Sequence, residues 1–230
     1  MTYLISDLCG RIDAYKKMLA LISLKESDVL YVLGNSVGKG IESIELLTEM
    51  SMAANVLPIL GVQDYEAFKI LNGMNSFLKK KETPDSAFMS EMAAWVSDGG
   101  QETLDAFREL DLDMQEGILD YLSEMVLYEE LTVSGADYLL VSQGIVDYTP
   151  DLELDICGPD DFLSETFDLT KEYDPRRVII TGSTCVNDIP GAEKDKIYYG
   201  KNMIGLNCKI AGGGKLACLC LETGQEYYVN

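Results

Sequence analysis

The 230-residue sequence predicts an α/β fold, and three observations carry that prediction. Short β-rich runs alternate with helical stripes at the start of the chain. A helix-rich, acidic stretch follows, from about residue 74 to about residue 130. The remainder is again β-rich, with turn signals between short apolar runs. A β-α-β-α-β opening makes a parallel sheet with right-handed crossovers. The β-rich second half predicts a mostly antiparallel second sheet packed on the first.

Each element follows from its residues in order. Thr2–Ser6 reads as a short buried strand that ends at Asp7. Residues 11–22 put Ile12, Tyr15, Met18, Leu19 and Ile22 on one helical stripe. Val29–Leu33 is a second β-rich run, closed by Gly34. Residues 41–55 read as a helix, with Ile41, Ile44 and Leu47 on its buried side and Leu57 at its exit. Residues 56–60 make a third strand, closed by Gly61, and residues 65–75 start another helix. In open α/β sheets ligands sit at the carboxyl ends of the strands. Asp7, Gly34 and Gly61 all fall there.

Pro84, Gly99, Gly100 and Gly117 punctuate the helical stretch. Beyond it, residues 131–133, 138–141, 178–181, 196–199, 204–208 and 216–221 read as strands. Gly212-Gly213-Gly214 and residues 222–225 are turn signals between them. The chain shows no internal repeat and no low-complexity tract. One domain over residues 1–230 is expected, since this length can bury a full core.

Composition narrows the function. The formal net charge is −21, so phosphate backbones repel the chain and nucleic acid is not an expected partner. Anionic membrane surfaces are disfavoured for the same reason. No apolar run is long enough to span a bilayer. The first residues enter a strand pattern without a basic region or cleavage site, which predicts a cytoplasmic protein. Six cysteines at irregular spacing fit reduced thiols better than a disulfide framework or a zinc ribbon. A basic partner protein would match the acidic surface.

Five short segments carry the strongest signal: Ser6-Asp7-Leu8-Cys9-Gly10, Gly34 to Gly40, Gly61-Val62-Gln63-Asp64, Leu140 to Gly144, and Gly182-Ser183-Thr184. They resemble, in the same order, the D-x-H-G, G-D-x-V-D-R-G, G-N-H-E, H-A-G and G-H-T signatures of calcineurin-like metallophosphoesterases. The segment from Glu91 to Leu104 contains Trp95, Gly99, Gly100 and Thr103, and resembles the W-x-x-x-G-G-x-x-T stretch of the bacterial serine/threonine protein phosphatase branch. The resemblance runs over nearly the whole chain. It implies a two-sheet sandwich with flanking helices and a helical insertion at about residues 74–130, beside the cleft that holds substrate in the family.

The same resemblance implies that the family's chemistry is lost. Asp7 is retained. Cys9 stands at a His position, Asn35 and Gly38 at Asp positions, and Lys39 at an Arg position. Val62 replaces Asn, and Gln63, Ser142 and Ser183 each replace His. The chain contains no histidine. Residues 162–168 lie where the family has a second Arg, and Thr166 stands in its place. Residues 204–209 lie where the family has I-D-x-G, with Asn207 for Asp and Lys209 for Gly. A binuclear centre needs carboxylates and imidazoles to hold two cations and acidify a water. Neutral amides and hydroxyls bind such ions weakly. No metal, cofactor or catalytic residue is therefore expected.

Asp7, Cys9, Asn35, Lys39, Gln63, Ser142, Ser183, Asn207 and Lys209 remain as candidate ligand-binding residues. Most are neutral hydrogen-bonding groups, and two are cations that would face one cleft. Such a set suits an anion held without metals. The expected function is capture, without hydrolysis, of a phosphorylated small molecule or nucleotide. The alternatives are a protein-interaction role and an enzyme rebuilt around Asp7, Asp64 and Glu66.

Other motifs are weaker. Gly34 to Gly40 lacks the spacing and the hydroxyl of a P-loop. Residues 211–215 read as a hairpin turn. Cys9, Cys185 and Cys208 lack paired spacing for a soft metal. A Lys-activated cysteine nucleophile is the remaining covalent option.

Overall fold

A computed structural model of the chain describes residues 1–38 and 42–230. The described residues form two five-stranded sheets packed against each other, with helices on the outer faces. The first 80 residues run β1 (Thr2–Ser6), α1 (Ile12–Ile22), β2 (Val29–Leu33), α2 (Glu42–Ser51), β3 (Val56–Ile59) and α3 (Val62–Lys80). β1, β2 and β3 pair in parallel, as the alternation predicts. Strand residues alternate between faces. On β1, Leu4 enters the core between the sheets, while Ile5 packs towards α1 with Met18.

α3 begins three residues before the predicted start. The Asp64 carboxylate accepts the Gly61 backbone N–H at 3.1 Å and so satisfies an orphan donor of the first turn. α2 ends at Ser51, short of the predicted residue 55. Leu57 on β3 is 38% exposed and does not continue the buried face of α2. Ile41 lies outside the described residues.

Four further helices follow: α4 (Ser86–Trp95), a π-helical turn (Val96–Gly100) leading into α5 (Gln101–Glu109), and α6 (Leu112–Ser123). They bury Trp95, Leu104, Phe107 and Leu119 in a core shared with Leu47 of α2 and Leu71 of α3. The chain then forms β4 (Tyr128–Val133), β5 (Ala136–Val141), a short α7 (Pro159–Leu163), β6 (Val178–Thr181), β7 (Tyr198–Tyr199), β8 (Met203–Gly205), β9 (Leu216–Cys220) and β10 (Glu226–Val229). No helix among the described residues is long and apolar enough to cross a membrane.

Two expectations about the second half are corrected. Its sheet, ordered β4-β5-β6-β8-β7, is mixed: β5, β6 and β8 run parallel and only the outer pairs are antiparallel. β9 leaves that sheet and joins the first, antiparallel to β1, with Tyr3 opposite Cys220 and Leu4 opposite Leu219. All of β9 is buried, because β1 and β10 flank it and both its faces are covered. β10, absent from the sequence reading, closes that edge. The predicted strand at 204–208 is only three residues long, and the chain beyond Gly205 leaves the sheet carrying Asn207.

Candidate functional site

Backbone hydrogen bonds join the loops after β1 and β2. Asp7 N–H donates to Gly34 O at 3.1 Å, Cys9 N–H to Asn35 O at 2.8 Å and Gly10 N–H to Ser36 O at 2.8 Å. Asp7, Cys9 and Asn35 all take left-handed backbone angles, with φ near +50°. These tight turns bring the ends of β1, β2 and β3 to one spot.

At that spot Asn35 bonds at both ends. Its Nδ2 donates to Asp7 Oδ1 at 2.8 Å, and its Oδ1 accepts the Gln63 backbone N–H at 3.1 Å. The second bond fixes the amide orientation, since only the oxygen can accept. Asp7 is 8% exposed, and its Oδ2 has no hydrogen-bond partner. A β-carbon at Gly182 would lie 3.1 Å from that oxygen, so the second sheet presses against it. Burial pushes the Asp7 carboxyl up to about 7, against the opposing Asn35 hydrogen bond.

Asp64 is fully buried and bonds away from the cleft. It accepts Val37 N–H at 2.7 Å and Gly61 N–H at 3.1 Å, tying the β2 loop to the start of α3. Burial pushes its carboxyl up to about 6, and those backbone donors hold it back. Burial, with the negative Asp7 nearby, raises the Cys9 thiol to about 12. Without a metal cation beside it, Cys9 is therefore held as the neutral thiol at physiological pH.

An open cleft of about 350 Å³ lies over this cluster, walled by Cys9, Arg11, Asn35, Gly38, Gln63 and Asp98, with Ala211 at one side. Of the sequence-predicted residues, Cys9, Asn35 and Gln63 are in that wall. Asp7 lies behind Asn35. Ser142 is buried with its hydroxyl unpartnered, and a β-carbon at Gly34 would lie 2.1 Å from that oxygen. Ser183 Oγ is also unpartnered, while its carbonyl accepts Asn207 Nδ2 at 3.1 Å. Lys209 is exposed and outside the wall. Its backbone N–H donates to Asn207 Oδ1 at 2.8 Å, and its stem folds over Gly212 of the same turn. Lys39 lies outside the described residues.

The sequence reading missed Arg11, a cation in the cleft wall whose guanidinium also donates to Ala211 O at 3.5 Å. Its only signal was its place directly after the Asp7-to-Gly10 turn. Gly38 is explained by packing: a β-carbon there would lie 2.1 Å from Cys9 O and 2.2 Å from Cys9 C. The insertion is fastened to the same loop, with Thr103 Oγ1 donating to Gly38 O at 3.4 Å. A β-carbon at Gly100 would lie 2.4 Å from the Trp95 ring, which accounts for this Trp-to-Gly pairing.

The donor set does not fit a pair of transition-metal ions. Asn35 turns an N–H towards Asp7, and its oxygen is committed to Gln63. Both Asp64 oxygens are used by backbone donors. Among the described residues no three His, Cys, Asp or Glu side chains cluster as a metal ion requires. Glu66, the third carboxylate of the alternative reading, lines a second hollow.

No family profile matches the chain, and no curated protein matches its sequence. Solved structures do match. One is of a candidate diadenosine tetraphosphatase, 15% identical with a TM-score of 0.65, over 99% of this chain and 92% of that one. A metallophosphoesterase from Sphaerobacter thermophilus is 14% identical with a TM-score of 0.60, over 100% and 87%. A Saccharomyces cerevisiae protein serine/threonine phosphatase similar to human phosphatase PP5 is 10% identical with a TM-score of 0.58, over 97% and 73%. At these identities the likeness is one of fold: the chain has the two-sheet sandwich of the metallophosphoesterases.

Proposed function

We propose that this phosphoesterase-fold protein binds a phosphorylated small molecule or nucleotide in the Arg11 cleft and does not hydrolyse it. The carrying observation is the Asn35–Asp7 hydrogen bond beneath an open cleft. It joins two groups at metal-ligand positions to each other, while the space above them stays open. Hydrolysis in this fold depends on a water acidified by bound cations. An amide that donates towards the one retained carboxylate opposes a cation there. The chain also has no histidine to protonate a leaving group.

Binding needs less. Arg11 supplies a fixed positive charge with a planar, forked set of donors suited to phosphate oxygens. The Gln63 amide beside it can donate a further hydrogen bond. The analogy with the family's substrate cleft rests on fold, and the residues supply the chemistry.

Calorimetric titration with inorganic phosphate, ribose 5-phosphate and nucleoside monophosphates tests the proposal. Arg11→Ala should weaken any phosphorylated ligand by about 1.5–3 kcal/mol, the range for hydrogen bonds to charged groups. None should be turned over with Mn²⁺, Ni²⁺ or Zn²⁺ added. Turnover that disappears in Asp7→Ala would overturn the non-hydrolysing reading. Absence of binding by every phosphorylated compound would overturn the ligand.

A further inference from the structure

Asp98 stands at one side of the cleft. That residue also lines a second hollow of about 350 Å³ between α3 and α4. Two helical stripes build it. Glu66, Lys69 and Ile70 fall on one face of α3, and Glu91, Ala94, Trp95 and Asp98 on one face of α4 and the π-helical turn. Ile70, Ala94 and the mostly buried Trp95 supply its apolar lining. Carboxylates and one ammonium form the rim.

Building on the phosphate-binding reading, we infer that this groove is the second half of the same site and takes the amine-bearing base of a nucleotide whose phosphate lies beside Arg11. A flat ring suits the lining of Ile70, Ala94 and Trp95. Glu66 and Glu91 accept hydrogen bonds and therefore call for N–H donors on the ligand. Lys69, whose ammonium lies 4.8 Å from the Tyr65 ring centroid, donates instead. A rim with both kinds of group matches the edge of a base, where amine donors and ring or carbonyl acceptors sit side by side. Each hollow lies near the lower end of the size of small-molecule sites, about 300–1,000 Å³, and together they suit a nucleotide better than a lone phosphate.

Trp95 is the only tryptophan in the chain, so its emission reports on the groove. The experiment titrates AMP, GMP, CMP, UMP, ribose 5-phosphate and a phosphoserine peptide carrying arginine, by calorimetry and by Trp95 fluorescence. At least one of AMP, GMP and CMP should bind about tenfold or more tighter than UMP and ribose 5-phosphate, and should change the emission. Glu66→Gln with Glu91→Gln should erase that preference, and Arg11→Ala should weaken every phosphorylated ligand. Equal binding of ribose 5-phosphate and all nucleotides would overturn the base site and leave the phosphate reading standing. Tighter binding of the peptide than of every nucleotide would also overturn the base site. If nothing phosphorylated binds, both fail.

Discussion

The side-chain nitrogen of Asn35 donates a 2.8 Å hydrogen bond to Oδ1 of Asp7, while the oxygen of the same amide accepts the Gln63 backbone N–H at 3.1 Å. One amide thereby links the ends of β1, β2 and β3. It has the right polarity to hold a buried carboxyl and the wrong polarity to share a cation with it. Its partner oxygen, Asp7 Oδ2, is left against Gly182 with no partner, and burial holds that carboxyl up to about 7.

Stability should reflect this with a definite sign. The folded carboxyl of Asp7 lies at about 7, above its ordinary 3.8, so the folded chain holds that proton more tightly than the unfolded one. Asp64, at about 6, acts in the same direction. Their contribution is most favourable at low pH and is lost as pH rises from about 4 to about 7. Asp7→Asn cannot ionise, so its stability relative to the native chain should rise over that window, by up to about 4 kcal/mol. Urea midpoints at several pH values measure it. A flat difference would mean that Asp7 is ionised in the folded state throughout.

Introducing a carboxylate at position 38 should fail structurally. The new β-carbon would overlap the Cys9 carbonyl, 2.1 Å away, and backbone cannot rotate aside as a side chain can. Gly38→Asp should cost about 2 kcal/mol or more. Chemical denaturation tests this, and a variant as stable as the native chain would show that the two loops are not tightly packed.

Gly100→Ala should displace the Trp95 ring, which lies 2.4 Å from where the methyl group must go. The emission of this single tryptophan should shift to the red as the ring meets water, with a loss of about 1–3 kcal/mol from overpacking. An unshifted spectrum would refute the contact.

Purified protein should carry well under one Mn, Fe, Zn or Ni per chain by elemental analysis, and chelation should leave the melting temperature unchanged. The donor set explains both: the Asn35 amide nitrogen faces Asp7, and both Asp64 oxygens are taken by backbone N–H groups. Two stoichiometric ions would show that Asn35 reorients to ligate.

Much of the fold was legible in sequence. Thr2–Ser6, Val29–Leu33 and Val178–Thr181 were bounded correctly because strands buried on both faces appear as unbroken apolar runs. The turns at Asp7, Gly34 and Gly61 marked the strand ends where Asn35 and Gln63 meet. That the chain has no histidine, and an amide at Asn35, was likewise visible in residue types alone.

Partnership was decided only in three dimensions. Residues 216–220 carry the apolar run of a buried strand, but nothing local says that Leu219 pairs with Leu4 in the first sheet. Nor does the sequence around Arg11 say that its guanidinium reaches Ala211 O, 200 residues along the chain. The orientation of the Asn35 amide likewise depends on a backbone N–H from a helix 28 residues away. Sequence determines which groups are present and how each short segment bends, because propensity and periodicity are local. Which groups meet is set by packing and hydrogen bonding across segments distant in the chain, and the Asn35–Asp7 pair belongs to that second kind.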